Sequence, residues 1–271
     1  MKNLWLVVCA AMLLAACGSA GTGSSLNNVT MQGGQWELAV APDNSSSPLY
    51  IDVNLPATNG PLSASNALIY NPAVVGLPGA DAPIYCGSFN LNGSIAEATL
   101  KGNMSWGQPS SNFASIIGSL ATDGKSLSNG SYSGQICLAA TGPGIGGPHV
   151  NGPLTGYTVS PVNGTFKGIL NSSLHGSAIV TFSITQNPDF TLKVSGTIVE
   201  NGVTSTLVPT DVPSNTSVLG ATVNIGGLAI NINGSNPFGF IGHLNPEATQ
   251  ITITNMSIGT NENVTGALTK Q

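Results

Sequence analysis

The chain has 271 residues, of which only 6% are charged, against roughly 25% in ordinary soluble domains. Its basic residues are six lysines with no arginine, and the formal net charge is −5. Phosphate recognition leans on arginine forks and basic patches, so nucleic acid, nucleotides and anionic membrane surfaces are excluded as expected ligands.

Met1-Lys2-Asn3 leads into an apolar run, Leu4–Leu14. The run is too short for a membrane-crossing helix of about 20 residues and suits the apolar region of an export signal. Leu14-Ala15-Ala16-Cys17 follows directly and resembles the lipobox of bacterial lipoproteins at all four positions. The resemblance implies that residues 1–16 are removed and that the Cys17 thiol carries a diacylglycerol. It also implies that the new amine is acylated, which makes the membrane a partner through the anchor. Gly18 stands where an aspartate would retain such a protein at the inner membrane, so the class implies the outer membrane. Residues 17–29 read as the lipidated cysteine and a flexible tether, with a single β domain over 30–271 and no further cofactor.

From Met31 onward the pattern is β. Alternating or β-branched runs occupy Gln35–Ala41, Leu49–Leu55, Thr99–Trp106, Phe113–Leu120, Ser177–Thr185 and Thr191–Glu200. Later runs are Thr204–Val208, Thr222–Ile225, Leu228–Ile232 and Gln250–Ile258. Asn-Gly or Asp-Gly pairs at 59, 92, 123, 129, 163, 201 and 233 suit hairpins whose two central residues need positive φ. Asn187-Pro188-Asp189 supplies a turn between two of the clearest strands. Segments 56–84 and 138–155, rich in Pro and Gly, read as loops. The fold expected is all-β, an antiparallel barrel or sandwich built from hairpins.

Gly34-Gln35-Trp36 opens the first strand and resembles the GxW at the start of lipocalin-type barrels, which implies an antiparallel barrel. Cys86 and Cys137 are the only cysteines left beside Cys9 and Cys17 of the signal and anchor. In an exported domain a lone pair is most simply one disulfide.

Chemistry is sparse. The three histidines, His149, His175 and His243, fall in no HExxH or calcium-loop motif, and the eleven carboxylates are scattered singly. No catalytic residue and no metal site is therefore expected. The reading is a non-catalytic anchored protein that binds a small neutral or apolar ligand, with Trp36 and Trp106 as candidate ligand walls. A structural or adhesive envelope component is the alternative, and a hydrolase with a spatially assembled site comes third. Protein partners are not specified by any motif.

Overall fold

Strand β1 (Gly34–Val40) shows how the first half is built. Side chains alternate across a strand. Trp36, Leu38 and Val40 point to one side and join Ile51, Val53, Leu91, Leu100, Ile116 and Leu154 in one apolar core. β2 (Leu49–Leu55), β3 (Pro61–Asn71), β4 (Ile84–Ala96), β5 (Thr99–Ser105), β6 (Asn112–Leu120), β7 (Ser126–Gln135) and β8 (His149–Val159) follow, each antiparallel to the last. β8 returns to pair with β1, Leu38 opposite Gly156, and the sheet closes into a barrel of eight strands. The all-β antiparallel fold expected from the pattern is what the chain adopts, with a closed barrel as its first half. Between them these segments and those below describe residues 29–43, 48–71, 84–105, 112–135, 149–173, 176–209, 216–230, 236–254 and 264–271 of this computed structural model. Cys17, Trp106, Cys137, His175 and the side chain of Cys86 lie outside the described residues, as does Asn233-Gly234.

The second half is a nine-stranded sheet: β9 (Gly164–Ser172), β10 (Gly176–Gln186), β11 (Leu192–Glu200), β12 (Val203–Pro209), β13 (Ser217–Leu219), β14 (Thr222–Ile230), β15 (Asn236–Leu244), β16 (Gln250–Thr254) and β17 (Val264–Lys270). Its order is β12-β11-β10-β9-β17-β16-β15-β14-β13. A register shift in β14 between Ile225 and Leu228 lets its far end pair with β12, Leu207 opposite Ile230. The sheet thus curls around its own core, where Phe182 and Phe240 meet at 5.6 Å beside Phe166, Val180 and Leu268.

Turn chemistry follows the sequence in part. Asn201 and Gly202 both have positive φ and make the tight β11–β12 turn, and the Asn187–Asp189 segment turns β10 into β11, with the Asp189 carboxylate accepting from the Thr191 amide at 3.1 Å. The β4–β5 hairpin, however, turns on Glu97 and Ala98 at φ 49° and 56°, without glycine. Asn92-Gly93 and Asn129-Gly130 lie inside strands rather than at hairpin tips. Positive φ at Asn129 marks a bulge in β7, where the register shifts between Leu127 and Gly130. Two expected loops also carry strands: β3 falls within 56–84, and β8 overlaps 138–155.

Burial in β1 and β2 is nearly continuous rather than alternating. The outer faces of these strands are covered as well, by β13–β15. Gln35 Nε2 donates to the Gly220 carbonyl at 3.0 Å, and Asn54 Nδ2 donates to the Val218 carbonyl at 3.2 Å. Gly220 has φ +54°, and a Cβ there would stand 2.4 Å from the Trp36 carbonyl oxygen. Only glycine permits both that turn and so close an approach. The two β bodies therefore meet across a seam of polar groups.

Candidate site at the seam between the two β bodies

The register of β1 and β2 sets Glu37 directly opposite Asp52. Both side chains leave the barrel on its outer face, since their neighbours Trp36, Leu38, Ile51 and Val53 fill the interior. Under the covering strands they become 1% and 0% exposed. On the other side of the seam, the register of β14 and β15 sets Thr222 opposite His243.

Asp52 is fixed by two donors from the turn into β14. The Ala221 amide donates to Oδ1 at 2.9 Å, and Thr222 Oγ1 is 2.5 Å from Oδ2. Glu37 is held at both oxygens. The Tyr157 hydroxyl donates to Oε1, and His243 Nε2 meets Oε2. Tyr50 stacks at a tilt over the imidazole, with ring centroids 5.7 Å apart. Tyr50, Tyr157 and His243 are half-buried, whereas Glu37 and Asp52 are fully buried. Ligand atoms of Glu37, Asp52 and His243 all lie within 4.8 Å of one another. A separate concavity of about 440 Å³ lies on the barrel's outer wall around Ser94, Lys101 and Ser115, and includes none of these groups.

The electrostatics follow from burial. Loss of solvent, and next the charge of Glu37, push Asp52 up to about 7, although the charge of His243 and then the hydrogen bonds from Thr222 and Ala221 oppose the shift. Burial and the charge of Glu37 raise Tyr50. Burial and the hydrogen bond to Glu37 raise Tyr157 well above the ordinary phenol range. Burial alone would lower His243, but the hydrogen bond and charge of Glu37, with the charge of Asp52, outweigh it and raise the imidazole.

These directions fix a pH dependence. Asp52 and His243 bind protons more tightly folded than unfolded. The stability this gives is complete below the ordinary value of each group and is lost as pH rises through the raised one. In chelator-treated protein the unfolding free energy is expected to fall from about pH 4 to above pH 7, by at most about 4 kcal/mol for Asp52. Urea unfolding at a series of pH values measures it. A midpoint unchanged between pH 5 and pH 8 would contradict this picture.

Several sequence-level expectations are corrected here. The carboxylates are not all solitary: two of them and a histidine, on three different strands, converge in the fold. Trp36 is 0% exposed inside the closed barrel, its Nε1 donating to the Gln32 carbonyl at 2.8 Å, and so is a core residue rather than a ligand wall. His149 is exposed at the start of β8. Sequence reasoning missed Glu37, Asp52, Tyr157 and His243. The one signal was an acid in the middle of each of two otherwise apolar runs, Trp36-Glu37-Leu38 and Ile51-Asp52-Val53, in a chain with few charges.

Fold and site together describe a two-bodied β protein with a buried carboxylate–histidine–tyrosine cluster at the seam. No known family matches the chain, and no curated protein matches it. Among solved structures, kievitone hydratase from Nectria haematococca is matched over 88% of this chain and 89% of that one, with 9% identity and a TM-score of 0.21. That neighbour is an enzyme, whereas the sequence reading expected a non-catalytic binder or envelope component. A likeness this distant carries no argument about reaction or substrate.

Proposed function

We propose that the protein is a lipid-anchored envelope enzyme that performs proton-transfer chemistry at the seam. One observation carries this reading: Glu37, fully buried, engages His243 with one oxygen and the Tyr157 hydroxyl with the other, at the seam between two β bodies. A base held by a buried carboxylate, which is itself oriented by a third group, is the arrangement acid–base catalysis needs. His243, a quarter of whose side chain is exposed, is the group placed to exchange a proton with substrate. Glu37 and Tyr157 act through it as positioning residues. With two carboxylates buried at the seam and no arginine in the chain, the substrate carries no anionic handle and is neutral or cationic.

The lipobox supports the anchor at Cys17 and placement at the outer membrane. The presence of Cys86 and Cys137 in an exported chain supports a disulfide between them.

Turnover of a panel of neutral and cationic chromogenic esters, amides and glycosides tests the enzyme. The mature protein is expected to turn over at least one of them, and His243→Gln to slow that reaction by about 10²–10⁴-fold with an unchanged circular dichroism spectrum. No turnover of any member, or a rate indifferent to His243→Gln, would overturn the proposal.

A further inference from the structure

We infer that Glu37, Asp52 and His243 form a site for one divalent metal ion, of the kind that accepts mixed oxygen and nitrogen ligands. The inference stands on the placement of charge and donors and not on the proton exchange proposed for His243, since an ion held by the imidazole nitrogen that faces Glu37 would take that nitrogen out of proton transfer. Two carboxylates sit directly opposite one another on the same face of an antiparallel pair, where like charges destabilise. Both are removed from water. The chain has no arginine, and all five described lysines, Lys101, Lys125, Lys167, Lys193 and Lys270, are exposed. None of these cations is buried against the pair; the one basic group that the described residues place there is the His243 imidazole. A divalent ion would neutralise two carboxylates at once.

Donor chemistry and spacing agree with this. Two carboxylate oxygens and one imidazole nitrogen, all within 4.8 Å of one another, make a three-ligand set that leaves a position for water, as in zinc and related transition-metal centres. The outer contacts are those that orient ligands: the Tyr157 hydroxyl on Glu37, and the Thr222 hydroxyl and Ala221 amide on Asp52. A further polar atom on this side of β14 lacks a partner. The amide oxygen of Asn224 is buried and accepts no hydrogen bond, and strand alternation puts it on the same face as Thr222. The ligands come from both bodies, β1 and β2 on one side and β15 on the other, so an ion bound here also clamps the seam.

The test uses the full mature chain, its free thiols alkylated so that no cysteine contributes, stripped with EDTA and titrated calorimetrically with Zn²⁺ and, separately, Mn²⁺. One equivalent is expected to bind and to raise the thermal midpoint. Glu37→Gln is expected to abolish that binding. Tyr157→Phe, which keeps all three ligands, is expected to weaken it roughly 10–100-fold, and Glu97→Gln at an exposed turn to leave it unchanged. If Glu37→Gln does not fold, His243→Gln, at the partly exposed ligand, takes its place. Absence of stoichiometric binding, or binding that survives both ligand variants, overturns the inference. Saturable binding in a protein that turns over no substrate overturns the enzymatic reading alone. Turnover insensitive to EDTA in a protein that binds neither ion overturns the metal site alone.

Discussion

Asp52→Ala is expected to lower the unfolding free energy of metal-free protein by roughly 2–5 kcal/mol at pH 5, and by less at pH 8. At the lower pH the variant simply loses two hydrogen bonds. The Ala221 amide and Thr222 hydroxyl are left buried without partners, at about 1–3 kcal/mol each. At the higher pH the same substitution also removes a buried charge facing Glu37, which offsets part of that loss. Asp52→Asn separates the two effects. Its amide mimics a protonated carboxyl, with an oxygen for Ala221 and a donor for Thr222. It should be nearly neutral at pH 5 and stabilising at pH 8. Urea unfolding of the three proteins at both pH values measures this. A penalty for Asp52→Ala that is equal at the two values would show that the carboxyl does not hold its proton in the fold.

Trp36→Ala is expected to destabilise the barrel by about 3–5 kcal/mol, the usual effect of truncating a large buried aromatic. Trp36 is among the largest side chains with no exposed surface, and it sits where β1 pairs with both β2 and β8. Its loss opens a cavity at the closure of the barrel and leaves the Gln32 carbonyl without the indole donor. Trp36→Phe keeps most of the volume and forfeits chiefly the hydrogen bond, so a loss near 1 kcal/mol is expected. Chemical unfolding followed by circular dichroism distinguishes the two. Equal effects would mean that the hydrogen bond, not the packing, carries the residue's contribution.

Strands with an unbroken two-residue period were legible in the sequence. Ser177–Thr185 and Thr191–Glu200 fall within a residue of β10 and β11, because Val180, Phe182, Ile184, Val194 and Ile198 all point into the core. β3 was missed for a local reason. Register shifts between Ala64 and Ala67, and again between Leu68 and Tyr70, break its alternation, and it begins on a proline. β8 hid behind its glycines. Gly152 and Gly156 point inward where a Cβ would strike the Ala41 carbonyl at 2.3 Å or Leu38 at 2.5 Å, so positions that pack tightly read as loop.

The site was less legible than the fold, because its members become neighbours only through pairings that no short window contains. Glu37 meets Asp52 by the β1–β2 register, and His243 arrives on β15, a strand whose Asn236-Pro237-Phe238-Gly239 opening carries no alternating pattern. Gln35 and Asn54, which fasten the seam, look in sequence like ordinary solvent-facing polar residues of a half-exposed strand.

The closure of the barrel, and the β12–β14 pairing that curls the second sheet, bear on how anything else engages this molecule. A strand at a free edge offers a row of backbone donors and acceptors, and many proteins recruit peptides, or aggregate, by extending that row. Here β8 satisfies β1 around the first barrel, and β12 satisfies the end of β14 around the second sheet. Their main chains at these positions are already occupied by one another. Recognition at these positions must then run through side chains, in a chain rich in serine, threonine and asparagine and sparse in charge, which favours contacts that are weak and reversible over strand-to-strand capture.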